Sequence, residues 1–470
     1  MSAHKPVLLN DSVFMESHLK KGSTNWNWID PGRGALDSPA NYYEASLNPW
    51  PALPTLENDL VCDVLVIGGG LLGSSTALHL SEAGIETVLV EKGSIGSAAS
   101  GRNGGQLTPG LARWEAGDIL EHFSPDEAKR LWRFCAHEAM DLVDEIAARY
   151  DVGLDRQYGH ITAAIHPGHM ASLIEGADAR YHLGDNAVEV VGRHQVREHI
   201  ASELYHGALI DRIGGQAHPL ALVRTLAHGF LLNGGRIFEG TEIARIEQTP
   251  AGVVACTASG TITARKGVVL AVHDLTHMFD SQLLPKTIPF FTYVSVTKPI
   301  DGGTEQLLPT GMPVYDTQFQ IDYYRPVRKD RILFGGQGTG TNWSAERIND
   351  YLLGRFRTVF PQYEGVALDY SWSGISDFTL NGATETRRIE GTAPVYMVHG
   401  WSGHGVAQTV RIGKAIADDL SGHSEDLEML LAIQHKPIPL GRQLSPFAIP
   451  AAKAAFGVGT AINPGKLVSF

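Results

Sequence analysis

Apolar runs and glycine-bounded helical periods alternate along most of the chain, and the first sharply patterned block opens at Asp59. Val61 to Ile67 reads as a buried parallel strand, since a strand covered on both faces needs no polar alternation. Leu71 to Ala83 follows with helical character and ends at Gly84, and Glu86 to Glu91 is a second strand. Together they span about thirty residues, the size of a βαβ unit. From Ser124 to Tyr150 the spacing predicts helix: Leu131, Phe134, Cys135, Leu142 and Ile146 recur near the helical period, and Ser124-x-x-Glu127 is a capping box. Short strands then mix with helices, at His160 to Ile165, Val188 to Val191, Phe290 to Val296, Ile321 to Tyr324 and Ile332 to Phe334. Two stretches interrupt that mixture. Pro219 to Leu232 is helical and leads through Asn233-Gly234-Gly235 to strands at Glu242 to Glu247, Val253 to Thr257, Thr261 to Ala264 and Val268 to Val272. Val395 to His399 is a strand that runs into Gly403 and a helix to Leu420.

The alternation predicts an α/β chain in which a Rossmann-like nucleotide-binding domain is assembled from discontinuous segments, 58–150, 209–284 and 391–440. An inserted α+β domain with a mixed or antiparallel sheet, 151–208 and 285–390, forms the substrate side. Residues 1–57 show no sustained period and read as an arm over the surface, whose Trp26, Trp28 and Trp50 argue for local docking. Residues 441–470 read as a tail.

Composition narrows the function classes. The chain has 470 residues, a mean hydropathy of −0.07, 43% hydrophobic and 19% charged residues, which is ordinary globular usage. Lys and Arg number 38 against 51 Asp and Glu, and no basic run occurs, so nucleic acid is disfavoured as a partner. Cys62, Cys135 and Cys256 are odd in number and far apart, which suits a reducing compartment better than a disulfide framework or a C-x-x-C metal site. No secretory signal opens the chain, and Val61 to Gly73, the longest apolar stretch, is too short to be a membrane span. A cytoplasmic protein is expected; Asn342-Trp343-Ser344 fits a glycosylation sequon but is idle without export.

The main chemical signal is Gly68-Gly69-Gly70-Leu71-Leu72-Gly73, a G-x-G-x-x-G between a strand and a helix. Gly68, Gly70 and Gly73 permit a tight turn, close approach to a pyrophosphate and close helix packing, while the helix N-terminus, with Leu72, offers N–H groups to phosphate. Glu91 ends the second strand about twenty residues on, placed to accept ribose hydroxyls and to repel a 2′-phosphate, with Lys92 beside it. Ile95 to Leu107, IGSAASGRNGGQL, stands where a plain NAD domain would continue into its next helix. Such a loop lays the backbone of Ser100, Arg102, Asn103, Gly104, Gly105, Gln106 and Leu107 along an extended cofactor, and Arg102 can balance pyrophosphate or flavin charge. That favours FAD; taken alone the stretch is also a plausible surface loop. Ile243 and Gly374 join this cofactor set. In His399-Gly400-Trp401-Ser402-Gly403-His404-Gly405-Val406 a third glycine turn starts a helix whose positive end, Gly403 to Val406, could face the flavin. The nucleophile-elbow alternative fails at its fifth position, where His404 stands for glycine. His404 is a candidate acid or base, or a spacer.

With these pieces in view, the chain resembles the FAD-dependent amine and amino-acid oxidoreductases of the D-amino-acid oxidase type. The resemblance runs from about Tyr42 to about Gly457 and is carried by Asn41-Tyr42-Tyr43-Glu44-Ala45-Ser46, Cys62-Asp63-Val64, the ASGRNGGQL loop, Asp211 to Pro219, Asp322-Tyr323-Tyr324-Arg325, Trp372-Ser373-Gly374 and Gly400 to Val406. It implies oxidation of a C–N bond: hydride passes from the carbon beside an uncharged amine to flavin N5, the imine hydrolyses to an aldehyde and ammonia or an amine, and O2 re-oxidises the flavin to give hydrogen peroxide. The cofactor carries that chemistry, so position, desolvation and charge are what the chain must supply.

The chain departs from the family in having a longer arm, a different Asn381 to Glu390 stretch, and Gly374-Ile375-Ser376-Asp377 where several α-amino-acid oxidases carry an Arg for the substrate carboxylate. An amine whose carboxylate is remote or missing, such as a gamma-glutamylated polyamine or related alkylamine, therefore fits better than an α-amino acid. No cysteine for covalent flavin lies near Ser402 or Gly374, so non-covalent FAD is expected. Trp372 and Tyr324, followed by Tyr323, Phe291 and Tyr293, are candidates for an aromatic box around the amine. Asp377 either attracts an ammonium or caps a turn, and Arg325 either holds a remote carboxylate or pairs with a neighbouring acid. Two rivals stay open: a dehydrogenase of an amino acid or secondary amine that passes electrons to a quinone or carrier, and a non-catalytic flavin-bearing binding protein. Oligomeric state is not legible.

Overall fold

The computed structural model describes residues 41–273 and 286–467. Trp26 and Trp28 lie outside them. The strand Leu60–Ile67 sits in the middle of an eight-stranded sheet with the order Glu385–Ile389, Val395–His399, Thr261–Leu270, Leu60–Ile67, Thr87–Val90, Arg236–Phe238. All neighbours in that order are parallel except the antiparallel edge strand Glu385–Ile389. Val64, Leu65 and Val66 are fully buried, as a centrally placed parallel strand requires. The hairpin Arg245–Thr249 and Gly252–Cys256 extends the sheet from the first half of Thr261–Leu270.

Two strand expectations change here. Thr261–Leu270 is one strand, not two: Arg265 and Lys266 at its polar midpoint ion-pair with Asp63 at 2.8 and 3.0 Å, and the ladder with Leu60–Ile67 resumes beyond them after a register shift between Cys62 and Val64. Glu242 lies outside strand structure; the hairpin begins at Arg245.

The second sheet has nine strands, in the order Leu368–Thr379, Thr287–Thr297, Arg331–Thr339, Asp322–Val327, Val314–Asp316, Gln157–Ala163, Gly207–Gln216, Gln106–Leu107, with Val188–Gly192 paired to Gly207–Gln216. It is mixed: Val314–Asp316 runs parallel to Gln157–Ala163, and the other pairs are antiparallel. A boundary between 208 and 209 therefore cuts a strand of this sheet, and one at 390 leaves Glu385–Ile389 on the wrong side, since it pairs with Val395–His399. The stretch from 441 is no tail. It forms the helix Gly441–Ile462, packed on Thr287–Thr297 and Arg331–Thr339.

The helix Leu71–Glu82 is buried from Leu71 to Leu80 and lies between the helices Pro219–Leu232 and Val406–Leu420. The tract after Ser124 comprises Pro125–Trp132 and Ala139–Arg149 joined by a π-helical turn, and Ser124 with Glu127 forms the capping box. Part of the arm docks. Tyr42–Ser46 is a short helix whose Tyr42 and Tyr43 enter the core, and Trp50 Nε1 donates to Glu239 at 3.2 Å. The three cysteines are free thiols. No helix among the described residues is long and apolar enough to cross a membrane.

On the edge strand, buried Glu385 meets His399, Arg387 and the Lys286 ammonium, the last at 2.9 Å. Burial alone would raise its pKa, but these partners outweigh it and hold the carboxyl well below its ordinary 4.5. Because the folded value is the lower one, this stabilisation is complete above about pH 4.5 and is lost as pH falls. Glu385→Gln should cost about 3–5 kcal/mol at pH 7, and urea midpoints should show the gap to the parent protein closing below pH 4.

Candidate active site

A cavity of about 590 Å³ opens where the parallel strands end, lined by Ile67, Val90 and Val398 from three of them, by Ala271 just past the end of a fourth, and by residues of the second sheet. Open parallel sheets bind ligands at this edge. Gly68, at φ +109°, starts the first turn; a Cβ there would lie 2.4 Å from Ala271 O. A Cβ on Gly73 would lie 2.0 Å from Gly68 O, so this glycine seats the helix on the strand and does not line the cavity. Gly70 is the helix N-cap and has no side chain to cap with; Ser100 Oγ takes the Leu71 N–H at 2.9 Å. Gly68, Gly70, Leu72 and Ser100 line the cavity.

Glu91 accepts the N–H groups of Gly69 and Gly93, both at 2.7 Å. Burial raises its pKa, and the two amides oppose that rise. The carboxylate thus fixes the glycine turn and keeps lone pairs for a ligand hydroxyl. Lys92, 3.6 Å from Glu242, and Ile243 line the same end.

The loop after Glu91 is pinned from several sides. Asn103 Nδ2 donates to Ala99 O and Ser100 O at 3.1 and 3.0 Å, and its Oδ1 takes the Gly105 N–H at 2.8 Å. Tyr43 OH donates to Asn103 O, Trp372 Nε1 to Arg102 O and Arg325 Nε to Gly104 O, at 2.7, 2.7 and 2.6 Å. The result is a stiff wall of Arg102, Asn103, Gly104, Gly105 and Gln106. Arg102 Nε donates to Ser373 O at 3.1 Å, and burial pulls its pKa down to about 10, so it is a cation at neutral pH.

Opposite lies the third turn. Asp377 carries the Gly400 and Trp401 N–H groups at 2.9 and 3.1 Å, with His273 Nε2 at 3.3 Å. Ser376 Oγ accepts the Gly403 N–H at 3.1 Å. Gly374, Gly403, His404, Gly405 and Val406 line the cavity at the start of the helix Val406–Leu420. Thr108 Oγ1 lies 3.3 Å from His404 Nδ1; burial, then Arg113 and His160, push this imidazole down to about 3.

Residues 63–419 match the family described as FAD dependent oxidoreductase. The chain belongs to that family. It is 33% identical over 406 residues, 86% of its own length and 94% of the relative's, to gamma-glutamylputrescine oxidoreductase of Escherichia coli K12. Identity to glycine oxidase of Bacillus licheniformis is 23% over 381 residues, 79% and 96% of the two chains. Among solved structures, glycine oxidase from Geobacillus kaustophilus matches in fold with a TM-score of 0.67 at 21% identity, over 80% of this chain and all of that one.

The family's cofactor is FAD, and the residues present fit it: Gly68 and Gly70 leave backbone open on the cavity wall at a helix N-terminus suited to phosphate, Glu91 offers a carboxylate suited to ribose hydroxyls, and Arg102 supplies a cation. Several candidates from the chain pattern fall elsewhere. Leu107 is buried in its strand opposite Gly215 and is not in the cavity wall. Trp372, 1% exposed, holds the Arg102 carbonyl and packs on Tyr43, so it positions the FAD loop and is not part of an amine box. Tyr324 donates to Tyr205 OH at 2.8 Å and stacks on Phe334 in a separate core; Phe291 and Tyr293 are buried there too. Asp377 binds backbone amides, not substrate. Arg325 is fully buried between Gly104 O, Tyr43 OH and Asp155, the last at 3.4 Å, which settles it as a structural cation. The pattern also missed wall residues: Arg113, Tyr315, Phe319, Gln337 and Lys453. None of them belongs to a motif, and Lys453 lies in the stretch read as a tail.

A backbone collision at Gly73 should be felt at the cofactor. Gly73→Ala is expected to destabilise the protein by about 1–3 kcal/mol and to lower the FAD-to-protein absorbance ratio of purified material.

Proposed function

We propose that this enzyme oxidises the C–N bond of an amine that carries its carboxylate far from the reacting nitrogen, a gamma-glutamylated polyamine or similar alkylamine, with O2 as electron acceptor and hydrogen peroxide as product. The observation that carries the reading is Ser376. Where several α-amino-acid oxidases of the family hold an Arg for the α-carboxylate, this hydroxyl faces the cavity and is engaged by the Gly403 amide. The 33% identity to a gamma-glutamylputrescine oxidoreductase supports the substrate class. When bound, the flavin supplies the two-electron acceptor for a hydride from the carbon beside the amine.

The chain's own contribution is position and desolvation. Phe290, Tyr315, Phe319 and Tyr323 give the second-sheet wall an apolar, aromatic character, and no carboxylate among the described residues lines that wall. An amine entering it is favoured as the neutral base, the form that can release hydride. Burial pushes the Tyr315 and Tyr323 phenols well above their ordinary range, so both stay neutral. His404, held near 3, is a neutral imidazole at working pH and neither stores a proton nor repels a cation. The reading places the enzyme in the cytoplasm, consistent with three free thiols.

Anaerobic mixing with gamma-glutamyl amines, free polyamines, N-methylated glycines and D-amino acids tests the proposal. Flavin bleaching by a gamma-glutamyl amine, with peroxide formed under air, is expected. Bleaching without peroxide would identify a dehydrogenase, and flavin left yellow by every amine would sink the catalytic reading. The pH profile gives a separate check: kcat/KM should climb between about pH 6 and pH 8 as the neutral fraction of the amine grows, and His404→Asn should leave the shape of that rise unchanged.

A further inference from the structure

The helix Gly441–Ile462 begins beyond residue 419, where the family match ends, yet it closes one side of the cavity. Ala448, Ile449, Ala452 and Lys453 form that wall. Ser445, Ile449, Ala452 and Phe456 recur every three to four residues, the spacing of one helix face. Ser445 and Ile449 are buried, and the Phe456 ring stacks on Phe319 with centroids 4.6 Å apart. One cation stands on this otherwise apolar wall. The Lys453 ammonium donates to Gln337 Oε1, and it forms no ion pair among the described residues. Gln337 itself sits at φ +65°, a conformation that costs a non-glycine residue, so the surrounding structure holds the amide there against strain.

The arrangement is incomplete as it stands. An ammonium has three N–H donors, and one neutral amide uses one of them. Burial, and secondarily the Arg347 guanidinium, pulls Lys453 down to about 8, which still leaves it charged at neutral pH. Arg347 lies over the Trp343 ring at 4.0 Å and adds to the positive potential at this end. A partly desolvated cation without an anion is costly, and an anionic ligand entering from the cavity removes that cost.

We propose that Lys453 is a specificity residue that receives the remote carboxylate of the substrate, selecting amines that end in a carboxylate over amines of equal length that end in a neutral group. The proposal rests on the amine-oxidation reading for its reaction but not for its ligand. It assigns to the C-terminal helix the recognition that the strand at Ser376 does not perform.

The test uses the flavin-loaded full chain and its Lys453→Met and Lys453→Arg variants, with thermal midpoints and flavin content checked first. Glutarate, which has no amine to oxidise, is titrated while the flavin absorbance is followed; Lys453→Met should weaken its binding about 10- to 100-fold, as expected for losing a charge-assisted hydrogen bond, and Lys453→Arg should restore most of it. With gamma-glutamylputrescine against its carboxamide counterpart, Lys453→Met should raise KM for the carboxylate amine by a similar factor, leave kcat within about threefold, and leave the carboxamide unaffected. Equal glutarate binding by parent and Lys453→Met, absence of glutarate binding to the parent, or discrimination that survives Lys453→Met and vanishes in Arg113→Met would overturn the proposal. Flavin that no amine bleaches would end the oxidase reading, while the glutarate titration would still decide the role of Lys453.

Discussion

Backbone meets backbone at three glycines, and the site depends on that contact. Gly73 lets the helix Leu71–Glu82 touch the turn at Gly68, where any side chain would strike a carbonyl. Gly413 lets the helix Val406–Leu420 touch the same helix, for its Cβ would meet Leu72 O at 2.9 Å, and Ser75 Oγ donates across the seam to Val410 O at 2.7 Å. Two helices lying this close side by side present both N-termini to one cavity, one at the Gly70 turn and one at Gly405. Their partial positive charges add in that cavity, a field that suits the pyrophosphate of the family's cofactor. Moving either helix outward by a methyl group would separate the two ends of that cradle.

Around this seam the chain spends its polar side chains on holding loops, which is why several residues with functional chemistry turn out not to touch ligand. Trp372, Arg325, Tyr43 and Asn103 converge on the carbonyls and amides of residues 99–105. Asp377 does the same for Gly400 and Trp401. Loops of this length would otherwise lose conformational entropy on binding, at about 1–2 kcal/mol for each residue ordered. Fixing them during folding moves that loss out of the binding step, so the cofactor meets a preformed wall.

How much of this was legible in the chain follows the range of each interaction. The strand, glycine turn and helix at 61–83, the second strand and the third glycine turn are local, and their periodicity and turn residues describe them well. Of the neighbouring candidates Tyr323 and Tyr324 only Tyr323 lines the cavity, and on the strand Thr287–Thr297 it is Phe290, not the candidate Phe291, that does so. The pattern locates both strands, but at 323–324 it leaves the phase open and at 290–291 it misses by one residue. Period-two alternation fixes a phase only when one face is polar, and strands such as Thr287–Thr297 carry aromatic or aliphatic residues on both faces because cores lie on both sides of them. A bulge at Gln337, left between the partners of Thr292 and Tyr293, shifts the alternation in the neighbouring strand Arg331–Thr339. Long-range partnerships such as Asp377 with the Gly400 turn have no local signature at all.

The charge balance makes the same point about scale. The chain carries a formal charge of −13, which favours solubility and says little about its interior. Inside, the order is reversed by position. Among the described residues, carboxylates line the cavity only beside the first glycine turn and the hairpin, at Glu91 and Glu242, whereas the cations Arg102, Arg113 and Lys453 are distributed along the rest of its wall. In a partly desolvated cavity those few groups act through a lower effective dielectric than the surface charges, whose fields are screened within about 10 Å by salt. The site therefore presents a positive potential to anything bound between the two sheets, inside a protein that is negative to the solvent. A ligand that brings its anionic end inward and its amine as a neutral base is the one whose charges match that field.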